Sequence, residues 1–300
     1  MGHIEKTYIN TIKTVFNKIG GIDFGPPIPS DGLQEWLDYP YMGRSGNELL
    51  MDIIRPAGSK ADELLPVVIY VHGGGLFEGN KNLSTGFCRL LALKGYVVFS
   101  LEYRLVPDVR IYDQIEDVCS GMDYVVDNLK KYGGDGSRIY LASESAGSLL
   151  MLYSEALTKS GSLQRALGVE SANINCRAMC LISGMYYTRR KDAIGIFLSK
   201  SIYGSGEKSK AFAEYINPEN PEIINNIPPV LMITSQADFL KKYTLDYAKC
   251  LDRNGCKYKL IHMGKGKHLV HAFSVLCPNL KESKQCIDYI DEWFERGEYS

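Results

Sequence analysis

Short apolar runs alternate with amphipathic helical patterns along most of this chain, and that alternation limits its folds more than any other feature. Seven runs read as strands: Leu49–Arg55, Pro66–Val71, Tyr96–Leu101, Arg138–Ala142, Arg177–Ile182, Val230–Thr234 and Tyr258–Met263. Most are nearly unbroken Val, Ile, Leu and Tyr, the pattern of strands covered on both faces. Between them, Ile115, Val118, Met122, Val125, Leu129 and Tyr132 step by three and four, and Gly133-Gly134 follow as a stop. The same stepping runs through Phe239–Asn254, ending at Gly255, and through Asn279–Arg296, ending at Gly297. Leu149–Leu157 also reads as a helix. Strands that alternate with helices predict βαβ units, hence an α/β fold with a mostly parallel sheet. Leu49–Arg55 and Pro66–Val71 are joined without a helix and are expected to pair antiparallel at one edge. Residues 1–41 and 185–229 break the alternation and read as additions that form a small lid on a single domain spanning residues 1–300.

Charge excludes some functions. Lys and Arg total 34 against 35 Asp and Glu, for a net charge of −1, and no block of five like charges occurs. A nucleic-acid binder would show a basic excess or stripe, so no nucleic-acid partner is expected. No apolar run approaches the roughly 18 residues of a membrane span. Ile9, Ile12, Val15, Phe16 and Ile19 fall on one helical face, without the apolar core of a signal peptide. The eight Cys match no small disulfide framework, and several lie in apolar runs, which predicts free buried thiols in a reducing, cytoplasmic setting. No CxxC pair occurs, so neither a metal nor any other cofactor is expected.

Four segments carry chemistry. Ser143-Glu144-Ser145-Ala146-Gly147 stands between a strand-like run and a helical one. It reads either as a Ser-rich helix cap or as a nucleophile elbow, in which a tight turn lifts the Ser145 hydroxyl above the sheet. His72-Gly73-Gly74-Gly75 follows another strand. It is a simple glycine turn, or a loop whose Gly74 and Gly75 N–H groups join that of Ala146 in an oxyanion hole, with His72 and Gly73 supporting it. A phosphate loop is excluded, because neither G-x-x-x-x-G-K-[ST] nor G-x-G-x-x-G occurs. Of the five His, only His268 and His271 lie past the last strand, where the base of a serine triad belongs. Asp238 follows a strand and lies between the serine and these histidines, as the acid should. The order Ser, Asp, His is that of α/β-hydrolases, and differs from those of chymotrypsin and subtilisin.

On these residues the chain resembles the α/β-hydrolase superfamily, and within it the hormone-sensitive-lipase-like carboxylesterases. Tyr103-Arg104-Leu105-Val106-Pro107-Asp108 resembles the family's Y-R-L-A-P-E/D, Ala237-Asp238-Phe239-Leu240 its D-P-L acid motif, and His271-Ala272-Phe273 its H-G-F. The likeness runs from about Leu49 to the C-terminus. It implies a mostly parallel eight-stranded sheet with helices on both faces, a serine nucleophile, no metal and hydrolysis of short acyl esters. It favours His271 over His268. Ser143 replaces the first elbow glycine, and Leu76 stands where an aromatic often follows the glycines.

The expected protein is therefore a serine carboxylesterase acting on short-chain acyl esters through an acyl-enzyme, with catalytic Ser145, Asp238 and His271. Leu76, Phe77, Glu144, Tyr186 and Tyr187 are its expected pocket residues. Tyr outnumbers the other aromatics, 20 against 10 Phe and 2 Trp, which suits an esterase of acylated carbohydrates as an alternative. A non-catalytic small-ligand binder on the same scaffold is the alternative of another class. The partner is a small ester in the enzyme readings, and oligomeric state stays open, a homodimer included.

Overall fold

The unbroken apolar runs become the central strands of one sheet, because each presents an apolar side chain to both faces. In the computed structural model, which describes residues 26–59 and 63–297, eight strands form this sheet. They are β1 Leu33–Met42, β2 Glu48–Pro56, β3 Leu65–Val71, β4 Val97–Leu101, β5 Gly134–Glu144, β6 Cys176–Ile182, β7 Val230–Ser235 and β8 Tyr258–Met263. Their spatial order is β1-β2-β4-β3-β5-β6-β7-β8. β1 and β2 run antiparallel to their neighbours, and the six strands β3 through β8 are parallel.

Two apolar layers sandwich the sheet. Val67, Ile69 and Val71 of β3 face one layer, while Val68 and Tyr70 face the other. The first layer is built with the helices α2 Ile111–Tyr132, α3 Ala146–Leu157 and α4 Lys241–Arg253; the second with α1 Thr85–Leu93 and α5 Lys281–Arg296. This two-sided burial is the physical reason the strands read as continuous apolar runs. Gly133 ends α2 in the left-handed conformation (φ 70°), its N–H bonded to Leu129 and Lys130 carbonyls, as the stop signal predicts. Gly297 ends α5 similarly, at φ 59°.

Two expectations need correction. The run Leu49–Arg55 lies in β2, which does not pair with β3. β4 stands between them, antiparallel to β2 and parallel to β3. The stretch 33–41, assigned to an addition, belongs to edge strand β1, whose register shifts between Trp36 and Tyr39. It pairs on one side only and is largely exposed, so its sequence LQEWLDYPYM lacks a strand's apolar run. The helix expected in the first 21 residues lies outside the described residues.

Residues 185–229 form short helical turns, Ala193–Phe197, Ser199–Tyr203, Glu207–Ala211 and Pro221–Ile224, packed onto the α2–α3 layer. The Tyr153 hydroxyl of α3 donates to the Tyr215 and Ile216 carbonyls, and the Tyr112 hydroxyl of α2 donates to the Tyr203 carbonyl. The eight cysteines are thiols, all buried except half-buried Cys256. Among the described residues no helix is long and apolar enough to cross a membrane.

Glu155 is buried on the inner side of α3, with one carboxylate oxygen lacking a hydrogen-bond partner. Burial raises its carboxyl from 4.5 to about 8, and Lys159, 3.9 Å away, pulls the other way without offsetting this. The native state thus keeps a proton that the unfolded chain loses above pH 4.5, so stability falls as pH rises from there to about 8. Glu155→Gln removes this charge. Urea midpoints should show the variant more stable at pH 8, by an amount on the order of a few kcal/mol, with no gain near pH 4.5. A gain of the same size at both values would sink this account.

Candidate active site

Ser145 sits at the turn between β5 and α3, with φ 51° and ψ −118°. A non-glycine residue there costs on the order of 1–3 kcal/mol, which neighbouring bonds must offset. The Ser145 N–H donates to the Ile182 carbonyl (2.9 Å), and its carbonyl accepts from Met185 N–H (2.8 Å). Tightness of the turn explains Gly147: a Cβ there would lie 2.3 Å from the Val71 carbonyl oxygen and 2.5 Å from that of His72. Ser143, in the position of the usual first glycine, is fully buried, its hydroxyl 3.3 Å from that of Ser148.

Asp238 lies just past β7 and His271 just past β8. His271 Nδ1 is 2.7 Å from Asp238 Oδ1, and His271 Nε2 is 2.9 Å from Ser145 Oγ. An ionised carboxylate only accepts, so Nδ1 carries the proton and Nε2 accepts from the serine hydroxyl. Asp238 also accepts from Thr234 Oγ1 (2.8 Å) and from Leu240 N–H (2.8 Å). Burial pushes the Asp238 carboxyl up, but His271, Thr234 and the Leu240 N–H outweigh it and hold it below the usual carboxylate range. His271 is buried, whereas His268 is exposed.

The histidine loop is fastened by residues from several strand ends, of which Ser183 and Ser235 fall in no motif. Ala272 adopts the left-handed region (φ 51°), and its N–H donates to Ser183 Oγ (3.1 Å). The Ser235 hydroxyl donates to the Leu269 carbonyl (2.5 Å). Phe239, beside Asp238, lays its ring 4.3 Å from the His271 imidazole. Ser183, Ser235 and Thr234 are single small polar residues whose only sequence signal is their place at a strand end.

The glycine loop follows β3. The Gly73 peptide is held at both ends: its N–H donates to Glu144 Oε1 (2.8 Å), and its carbonyl accepts from His72 Nδ1 (2.7 Å) and the Tyr103 hydroxyl (3.2 Å). His72 stacks on Tyr103 at 4.3 Å, with Nε2 2.9 Å from Glu102. Phe77 and Glu78 N–H groups donate to the Gly74 carbonyl, closing a turn in which Gly74 has φ 118° and Gly75 φ 64°. These contacts place His72 and Gly73 behind the turn formed by Gly74 and Gly75.

Glu144 was expected to face substrate. It is instead bonded to the Tyr70 hydroxyl and Gly73 N–H, behind the loop. Burial pushes its carboxyl above the usual range despite both donors. Leu76 and Phe77 are buried in the core layer of α2 and α3. Tyr186 is fully buried and stacked on Tyr247 at 4.5 Å, so its ring face is occupied. Tyr187 donates to Glu219 (2.7 Å) and packs 3.3 Å from the Arg190 guanidinium, lining a cleft of about 320 Å³ with Arg189, Asn217 and Glu219.

Comparison with known proteins gives the fold and the family. A probable isoprenylcysteine alpha-carbonyl methylesterase of Arabidopsis thaliana is 28% identical over 226 residues, covering 70% of this chain and 46% of its own. The chain spans about half the length, or less, of the curated relatives it matches. Esterase B of Lactobacillus rhamnosis superposes with a TM-score of 0.86 at 23% identity, over 97% of this chain and 96% of that one. A hyperthermophilic esterase of Pyrobaculum calidifontis gives 0.73 at 23% identity, over 99% and 92%. Those likenesses establish the α/β-hydrolase fold. The BD-FAE family profile covers residues 51–244, more than half of the chain, and with it the serine turn and Asp238. The chain belongs to the BD-FAE family.

Proposed function

We propose that this chain is a serine carboxylesterase that hydrolyses short-chain acyl esters through Ser145, His271 and Asp238. The observation that carries the reading is the unbroken relay from Asp238 Oδ1 to His271 Nδ1 (2.7 Å) and from His271 Nε2 to Ser145 Oγ (2.9 Å). His271 takes the serine proton as Oγ attacks the ester carbonyl, and Asp238 fixes the tautomer and stabilises the imidazolium. Gly74, Gly75 and Ala146 N–H groups hold the oxyanion, each donor contributing about 3–4 kcal/mol when removal is the measure. The alcohol leaves with the proton, and water releases the acyl group by the same path.

Short chains, about two to six carbons, are favoured because Leu76 and Phe77 beside the oxyanion loop are packed into the core rather than lining a groove. Esterase B itself has been crystallised in a form inhibited by a tributyrin phosphonate. Tyr186 and Tyr203 of the 185–229 addition are buried against protein partners and offer no ring face to a sugar, which does not favour the carbohydrate reading. A non-catalytic binder would not need Asp238, His271 and Ser145 within hydrogen-bond distance of one another, so the binder reading is the weaker one.

A phosphonate of butyryl size should label Ser145 alone and abolish turnover of 4-nitrophenyl butyrate, while 4-nitrophenyl palmitate is a poor substrate. Labelling at Ser143, or no labelling with the chain folded, would reject the mechanism. Equal turnover of the two esters would reject the chain-length preference.

A further inference from the structure

The leaving alcohol of an ester has to lie against the histidine of the triad. In acylation the Ser145 Oγ–acyl carbon bond forms and the acyl carbon–alkoxide oxygen bond breaks. The proton from Ser145 passes through His271 Nε2 to the departing oxygen. An apolar surface packed against His271 can therefore meet the alcohol rather than the acyl chain.

Phe239 provides such a surface. Its ring centroid is 4.3 Å from that of His271 at an interplanar angle of 38°. It is also 69% exposed, the most exposed of the large hydrophobic residues among those described. A lone exposed phenylalanine needs no explanation; one laid on the imidazole of the triad does. Its backbone cannot drift, because Leu240 N–H donates to Asp238 Oδ1 (2.8 Å) and Lys241 N–H to the Asp238 carbonyl (3.1 Å). The acid motif reads Asp-Phe-Leu here where the resembled pattern has Asp-Pro-Leu.

The geometry points to Phe239 as the residue that selects the alcohol: an apolar wall favouring esters of aryl and benzylic alcohols over those of small polar ones. This rests on the esterase reading of the site. The ring packs against His271 and leaves its remaining surface to solvent, where an aromatic alcohol can pack edge to face or offset. Once the alcohol has left, the ring has no substrate group against it, so its selection of the alcohol acts on acylation only.

The test compares kcat/KM for benzyl acetate and methyl acetate in the wild type, Phe239→Ala and Phe239→Tyr, with deacylation rates from single-turnover measurements. Phe239→Ala should lower kcat/KM for benzyl acetate by roughly tenfold and for methyl acetate by less than about twofold, leaving deacylation unchanged. Phe239→Tyr should retain the wild-type ratio. An equal loss on both acetates, or a matching loss in deacylation, would show that the ring serves the imidazole and overturn the assignment. If the wild type takes no phosphonate label and cleaves no ester, the esterase reading fails and this inference with it. If it does both while Phe239→Ala leaves the benzyl-to-methyl ratio unchanged, the Phe239 assignment alone fails.

Discussion

His271→Ala is expected to lower kcat at least several thousandfold, as loss of a triad member does, while His268→Ala costs less than about tenfold. The two lie three residues apart on one loop, yet their surroundings differ. His271 is buried with both ring nitrogens engaged, one by Asp238 and one by Ser145. His268 is exposed beside Lys265 and Lys267. Removing His271 leaves the serine hydroxyl without a base and the Asp238 carboxylate buried without its main partner. Residual turnover then comes from oxyanion stabilisation and binding, so Ser145→Ala and Ser145→Ala/His271→Ala should be about as poor as His271→Ala. Burst and steady-state kinetics with 4-nitrophenyl acetate measure all four variants, and interchanged results for the two histidines would reject the assignment. The Asp238 carboxyl is held below its usual range, so its contact with His271 is intact at neutral pH and is lost only as pH falls through that lowered value.

The sequence showed most of what lies at the centre of the sheet and little of what lies at its edge. β3, β4, β6 and β7 are buried on both faces and so leave a continuous apolar trace, whichever strand they pair with. β1 pairs on one side and faces solvent, so Glu35, Asp38 and Pro40 are tolerated and the strand is hidden. Pairing order is also invisible locally: nothing in the link between β2 and β3 says that β4 comes between them. At the site, Ser145, Asp238 and His271 are legible because each falls in a motif at a strand end. The parts that hold them are not. Glu144 has the look of a pocket residue but is bonded to Tyr70 and Gly73, more than seventy residues away in the chain. Ser183 meets Ala272, 89 residues further along the chain. Such pairs have no period and no spacing rule, because they depend on which loops the sheet brings together.

Gly74→Ala should cost two to three orders of magnitude in kcat, and its cause differs from that of the histidine change because no chemical group is lost. A Cβ at Gly74 would fall 1.6 Å from the Glu78 carbonyl oxygen and 2.4 Å from its carbon, with φ at +118°. Those are backbone atoms, so no side-chain rotation relieves the clash. Glu78 cannot retreat easily, since its N–H is bonded to the Gly74 carbonyl at 3.0 Å. Gly73 cannot follow either, because Glu144, His72 and Tyr103 hold its peptide from both ends. The turn must open at Gly74 and Gly75, the pair proposed to donate to the oxyanion. Losing one such donor lowers kcat about 10²- to 10³-fold, and substrate binding need not change with it. Gly46→Ala is the control: that glycine also has positive φ (75°), but a Cβ there meets nothing within 4 Å. It should cost about 1 kcal/mol of stability and leave kcat alone. If Gly74→Ala kept its kcat with the fold intact by circular dichroism, the loop would not be the oxyanion site. If Gly46→Ala lost activity as well, the effect would belong to general destabilisation rather than to the position of two N–H groups.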